Sequence, residues 1–381
     1  MPIPPSSLPA ALESPAAARV GAVLVIDLDA LVANWRDMAR RVAPAECAAV
    51  VKADGYGLGA VPVATALWQA GARSFFVADI EAGVQLRAAL PDARIIVLHG
   101  APTGTEAELA RERLVPVLNT LGEMERWQAE GRRQGNPLPA FIHIDTGMNR
   151  LGMDAADFTR LEQDAPSRLD GIALQGWMSH LACADHPENP MTAEQLFRFR
   201  NILGRLPRAP ASLSNSAGIF HGTDYHFDLV RPGIALYGPN PAPWLPNPMR
   251  PVIRLLGRIL QVRDVPANVT VGYDATHRTQ APARIAALGL GYADGYPWAG
   301  AGKGHVMIAG HKAPIIARIS MDLVTADVSA VPEALLRVGD WAEVIGPSRD
   351  VDQVAAEAGT IGYEILTRLG RRYHRIHLAQ G

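Results

Sequence analysis

Short runs of apolar, mostly β-branched residues recur along the first 231 positions of the chain. They fall at 47–53, 74–78, 95–99, 115–119, 140–145, 172–180, 211–215 and 227–231. Stretches with a helical spacing of apolar positions separate most of them: Val61–Ala70, Glu81–Leu90, Glu106–Leu114, Leu121–Arg133, Ala155–Asp164 and Thr192–Leu206. Ahead of this series, 22–27 reads as a strand and Leu28–Val42 as an amphipathic helix. Eight strands alternating with helices predict a TIM-type (β/α)8 barrel. The competing architecture, a doubly wound open sheet, calls for a Gly-rich phosphate turn after its first strand. The sequence there, 55-GYGLG-59, lacks the GxGxxG order.

Prolines crowd 239–251, and the pattern then changes. Short strands are predicted at Val252–Val262, Ala283–Leu288, His305–Ile308, Ala313–Ile319 and Trp341–Ile345, with one or two helices near 350–370. The expected organisation is a disordered tail over 1–18, a barrel over 19–245 and a mainly β C-terminal domain over 246–381. No stretch has the length and apolarity of a membrane span. The N-terminus has no positive side chain before Arg19, so it does not read as a signal peptide.

Composition narrows the class. With 48% hydrophobic and 19% charged residues over 381 positions, the chain can fill a core. A net charge of -2 gives no reason to expect nucleic acid or an acidic membrane as partner. Two cysteines, without CxxC spacing, fit a reducing compartment and predict a cytoplasmic protein. Of 36 basic residues only three are lysines: Lys52, Lys303 and Lys312. Coding bias accounts for the scarcity but not for the place of Lys52.

In a barrel, chemistry gathers at the C-terminal ends of the strands. The first strand ends on Lys52, the fifth leads into 145-DTGMNRLG-152 with Arg150, and the sixth ends on His180. The seventh offers Asn215 and Ser216, and the eighth Arg231. An average lysine is a solvated surface group. One that closes an apolar strand and precedes glycines is instead desolvated, a nucleophile for a carbonyl. That points to a Schiff base, with pyridoxal phosphate or with a carbonyl substrate. One arginine among so many is ordinary, but two at strand ends opposite this lysine point to phosphate or carboxylate. Ser216 with the amides of Gly218, Gly233 and Ile234 has the makings of a phosphate cradle. In the second domain Tyr273, Tyr292, Tyr296 and Met321 taken singly are turn aromatics and core filler. No metal site is predicted, since His221 and His226 lack a clear third ligand and no HExxH occurs. The 300-GAGKG-304 stretch has a Gly where a phosphate-binding loop requires Ser or Thr.

Eight segments in order are AVVKADGYGLG, DTGMNRLG, SNSAG, LVRPGIALYG, VGYDATH, LGYADGY, SMDL and TIGYEIL. Together they resemble the alanine racemase family, from about residue 20 to the end. The resemblance implies pyridoxal 5'-phosphate bound to Lys52. Its phosphate would be held by Tyr56, Ser216, Gly233, Ile234 and Tyr363, with His180 and Asn215 nearby. Arg231 would face the pyridine nitrogen, and Arg150 the substrate carboxylate. The resemblance further implies a homodimer with shared sites. Tyr273 would come from the second subunit beside Met321, with Tyr292 and Asp322 close by, and the strand at 22–27 would pair with the β domain. Lys52 and Tyr273 would act as two opposed bases in interconverting L- and D-alanine, supplying D-alanine for peptidoglycan. Where many members carry a carbamylated lysine this chain has His143, expected to help orient Arg150, itself or with a bound anion. A serine or broader-specificity racemase, or a decarboxylase, shares this scaffold. Arg231 and Tyr273 argue against the decarboxylase.

Overall fold

Where apolar residues alternate or run unbroken the chain extends, and where they recur at three and four it coils. The computed structural model describes residues 12–379. Strand β1 covers Ala22–Asp27. Asp27 then caps the helix Leu28–Val42, accepting from the Ala30 amide at 2.8 Å. That helix buries Leu28, Leu31, Trp35, Met38 and Val42, one face at helical spacing.

The barrel follows as β2 (Glu46–Cys47), β3 (Ala49–Val50), β4 (Ser74–Val77), β5 (Arg94–Val97), β6 (Val115–Leu118), β7 (Leu138–His143), β8 (Ile172–Met178), β9 (Ala211–Ser212) and β10 (Leu229–Val230). From β3 to β9 the strands lie parallel in chain order. β10 pairs with β2, placing Leu229 opposite Glu46. The Asp228 and Arg231 amides donate to the carbonyls of Ala211 and Ser214 at 3.0 and 2.9 Å, tying β9 to β10. Because β2 and β3 are one strand broken at Ala48, the ring has eight staves and closes. The expected barrel is the observed one. Helices flank it at Ala60–Ala70, Ile80–Ala89, Glu106–Arg111, Leu121–Gln134, Ala155–Gln163 and Met191–Leu203. After β9 and β10 the connections are short 3-10 turns instead, among them Gly218–His221 and Ile234–Tyr237.

The C-terminal part is mainly β: β11 (Ile253–Val265), β12 (Thr270–Val271), β13 (His277–Arg278), β14 (Ala283–Leu288), β15 (His305–Ile308), β16 (His311–Ile316), β17 (Val324–Asp327), β18 (Trp341–Ile345) and β19 (His374–Leu378). The long β11 pairs with β18 through its first half and with β14 through its second. Strands β14, β17, β16, β15 and β18 close a ring with it. β1 lies antiparallel to β11 and parallel to β19, so the first strand belongs to this sheet. Two helices, Val351–Ala358 and Gly362–Thr367, close the domain.

Two expectations need correction. The strand expected over 313–319 ends at Ile316, because Ala317 takes φ +61° and turns the chain. Of the tail expected to be disordered, residues 1–11 lie outside the described residues; within 12–18 most residues are exposed, but one is anchored. Ala17 is buried, and its carbonyl accepts from Arg258 Nη2 at 2.9 Å. It shares a small cluster with Val23 and Val25 of β1. Among the described residues no helix is long and apolar enough to cross a membrane.

Candidate active site

Lys52 stands just past the end of β3, where the backbone does something unusual. Ala53, Asp54, Gly55 and Tyr56 take φ values of +53°, +54°, +61° and +52° in succession. Only one of the four is glycine, and each non-glycine residue there costs about 1–3 kcal/mol. Local hydrogen bonds offset the strain. Gly57 N donates to Ala53 O and Gly59 N to Asp54 O, both at 2.8 Å, and Asp54 Oδ1 accepts from Ala60 N at 2.8 Å. A Cβ on Gly57 would collide with the Leu366 carbonyl. Glycine there lets the lysine turn lie against the helix Gly362–Thr367, which carries Tyr363. Arg375 Nη1 fastens the same turn by donating to Gly57 O at 2.6 Å.

The barrel mouth encloses a cavity of about 340 Å³. It is lined by Lys52, Tyr56, His143, Arg150, His180, Asn215, Ser216, Arg231, Gly233, Ile234 and Tyr363, with no aspartate or glutamate among the lining residues. Burial, then the charges of Arg150 and Arg231, lower the pKa of Lys52. More of its amine is therefore neutral and nucleophilic at a given pH. Burial, with Arg231 adding, brings His143 down to about 4 and holds His180 well below its usual range. Both rings stay neutral. Burial raises Tyr56 and brings Tyr363 up to about 12, so both phenols keep their protons.

Arg231 is fixed from behind. Its Nη2 donates to Ser179 O at 2.6 Å, to Leu213 O at 3.2 Å and to His180 Nδ1 at 3.2 Å. Nη1 donates to Ser212 Oγ. His180 thus accepts at Nδ1 and carries its proton on Nε2. Burial brings Arg231 to about 9, still cationic at neutral pH. Its Nε has no acceptor among the described residues, a donor left over in a buried side chain. Beside it, Ser216 Oγ accepts from the amides of Gly233 at 2.8 Å and Ala235 at 3.3 Å. Its own hydroxyl proton is left to donate. A Cβ on Gly233 would strike the Tyr56 hydroxyl, so glycine opens this corner. Asn215 Oδ1 accepts from Gly218 N at 2.9 Å and shapes the turn. A lowered-pKa lysine, a leftover guanidinium donor and a glycine-cleared cradle of hydroxyls suit a phosphorylated aldehyde with a ring nitrogen.

Four expected site residues are elsewhere. Tyr273 sits after β12 and is 68% exposed. Met321, 53% exposed, Asp322 and Tyr292 lie on neighbouring loops of the same β domain. None lines the cavity of its own chain. Arg318 pairs with Asp274 and so steadies the turn that carries Tyr273. The structure also changes the picture of His143. Its Nδ1 meets Asn119 Oδ1 at 2.9 Å, and no hydrogen bond joins it to Arg150 among the described residues. Asn119 Nδ2 donates to Val117 O at 2.8 Å, which fixes the amide so that its oxygen faces His143. Asn119 is a residue the sequence reading passed over. It ends the fourth barrel strand as Lys52 ends the first, and His99, past the third, lines the cavity too. Both stand at or just past the end of an apolar strand, the same signal that marks Lys52.

Fold and site together define a class: an enzyme built on a barrel that carries a partly buried lysine of lowered pKa at its mouth, with a β domain added. Residues 26–241 match the family model of the alanine racemase N-terminal domain, and 252–377 that of its C-terminal domain. The chain belongs to the alanine racemase family. It is 49% identical to the alanine racemase of Methylobacterium sp. (strain 4-46), covering 94% of this chain and 98% of that one. It is 47% identical to that of Rhodospirillum rubrum, covering 94% and 96%. Among solved structures, alanine racemase from Bartonella henselae with covalently bound pyridoxal phosphate superposes with a TM-score of 0.91. Identity there is 41%, over 94% of this chain and 100% of that one. The biosynthetic alanine racemase of Pseudomonas aeruginosa gives 0.88 at 36% identity, over 94% and 100%.

Proposed function

We propose that this protein is a pyridoxal-phosphate-dependent isomerase that interconverts L- and D-alanine by a two-base mechanism. The observation that carries this is Lys52, half-buried beside Arg150 and Arg231 in a cavity with no carboxylate among its described lining residues. Lys52 is the covalent anchor for the cofactor. Tyr56, Ser216, Ile234 and Tyr363 would hold its phosphate, and the free Nε of Arg231 would face its ring nitrogen. When bound, the cofactor supplies the electron sink that makes the substrate's α-proton acidic.

The rest is the work of side chains. Arg150 has no hydrogen bond to protein among the described residues, so its fork is available to a substrate carboxylate. Racemisation needs a proton removed on one face and delivered on the other, which two opposed groups do without moving the substrate. Lys52 Nζ exchanges the proton of D-alanine and Tyr273 Oη that of L-alanine. Because Tyr273 is exposed on its own chain, it acts in the pocket of a second copy, and the working unit is a homodimer. The exposed Tyr273, Tyr292, Trp298, Met321 and Leu323 of the β domain support such a contact surface. The Met321 amide, with no acceptor among the described residues, would meet the carboxylate from that side. Cys47 and Cys183 are both free thiols, which supports a cytoplasmic enzyme; D-alanine made there would supply peptidoglycan. No observation favours a serine racemase or a decarboxylase.

The decisive measurement follows L-alanine in deuterium oxide, with and without added cofactor. D-alanine carrying deuterium at Cα is expected only with the cofactor. Cofactor-independent turnover, or loss of carbon dioxide instead, would overturn the proposal.

A further inference from the structure

We propose that Arg372 is a positioning residue that locks two loops of the β domain, 289–296 and 318–323, into one substrate-facing surface. The inference rests on the reading that Met321 and Tyr292 complete the pocket of a second copy.

The two loops touch through backbone. Tyr292 N donates to Ser320 O at 3.1 Å and Ala293 N to Met321 O at 3.0 Å. A Cβ on Gly291 would collide with both carbonyls, so the approach depends on glycine there. Each loop also brings a carboxylate. Asp294 is 5% exposed and accepts from Gly291 N at 2.9 Å through Oδ2. Asp322 follows Met321 directly. The two acids repel each other, and that repulsion works against the contact of their loops. Arg372 resolves it: Nε meets Asp294 Oδ1 at 3.2 Å and Nη2 donates to Asp322 Oδ1 at 2.7 Å. One planar fork thus serves both acids, which a lysine ammonium on a single point cannot do as well. The segment holding Arg372 is itself anchored, since Gly370 N donates to Asp294 O at 2.9 Å. Without Arg372 a buried carboxylate loses its cation and faces its neighbour unscreened. The loop that presents the Met321 amide then loses its set position. Lys52, Arg150 and Arg231 all lie in the barrel and are untouched by the change.

Arg372→Gln should raise KM for alanine about tenfold with kcat within about threefold, the size of one lost charge-assisted contact. The visible absorbance of the cofactor on Lys52 should stay as in the wild type. Arg372→Lys should give an intermediate KM, and it carries the test if the glutamine variant does not fold. A KM within about twofold of wild type in both variants would overturn the inference.

Mixed dimers separate this from the shared-site reading. When a Lys52→Ala chain is paired with an Arg372→Gln chain, the working pocket receives intact loops and KM should be normal. When both changes sit on one chain and its partner is wild type, the working pocket receives the loosened loops and KM should rise. The reverse pattern would keep Arg372 as a positioning residue but discard the exchange of loops between copies. Normal KM in both pairings would overturn the role of Arg372 alone.

Discussion

The barrel mouth and the β-domain tip carry the two proposed bases, and they are built in opposite ways. Lys52 is half-buried, placed by a left-handed turn, backed by the neighbouring domain and set near two cations, a fixed Arg231 and an Arg150 unbonded among the described residues. Tyr273 is 68% exposed at the end of a two-residue strand, held by one surface ion pair between Arg318 and Asp274. The mouth is a finished cavity that lacks one wall. The tip is a cluster of aromatic and apolar side chains that nothing in the same chain covers. Burial and repulsion tune the lysine within its own chain. The tyrosine gains its chemical surroundings only when a second copy supplies them.

The strongest way to break this comparison is at the mouth. Lys52→Ala should lower racemisation about 10⁴-fold or more and remove the visible absorbance of lysine-bound cofactor. Retained activity would end the assignment. At the tip, Tyr273→Phe should slow turnover about 10²–10³-fold by removing one proton carrier. Deuterium wash-in from L-alanine should fall far more than from D-alanine. Equal losses in the two directions would remove the division of labour. Mixing the two inactive chains should restore about a quarter of wild-type activity. Half the dimers are then mixed, and each has one intact site. No recovery, with chain exchange demonstrated, would mean that mouth and tip meet within one chain.

A smaller effect probes the cradle. Gly233→Ala drives a methyl group into the Tyr56 hydroxyl, and should weaken cofactor binding about tenfold. Titration of the absorbance with added cofactor measures it. Unchanged affinity would move the phosphate away from Tyr56.

The same contrast explains what could be read from the sequence. The eight barrel strands stand out because parallel, doubly covered strands are continuous apolar runs. Their C-terminal ends then gave Lys52, Arg150, His180, Ser216 and Arg231 without any knowledge of contacts. Asn119 was equally accessible by that rule, at the end of β6. The left-handed run at 53–56 was not, since Ala53 and Tyr56 have no preference for positive φ and adopt it only under tertiary constraint. Nor was Arg372, whose partners Asp294 and Asp322 lie 78 and 50 residues away in the chain. For Tyr273 the residues alone showed only a turn aromatic. Its meaning came from the resemblance, because the surface it serves belongs to another molecule.

The smallest expected effect concerns stability, and it bears on the mouth alone. His143 is held neutral by burial and by Arg231, with a pKa of about 4 against an ordinary 6.5. Between these values the unfolded chain binds a proton at this ring that the folded chain refuses. Its contribution to stability is therefore whole above pH 6.5 and is lost as pH falls toward 4, by about 3 kcal/mol at most. His180 acts with the same sign, so the whole protein should lose stability over this range. His143→Gln keeps a polar side chain at the site, within reach of Asn119, but removes the titration. It should flatten part of the fall in the denaturation midpoint between pH 7 and pH 4.5, the remainder staying with His180 and His305, whose pKa values burial also lowers. The tip holds no buried histidine of this kind, so a Tyr273→Phe chain should keep the full wild-type slope. If His143→Gln leaves the slope unchanged, His143 is not held neutral in the folded mouth. The enclosed character of that region would then rest on Lys52, His180 and Arg231 alone.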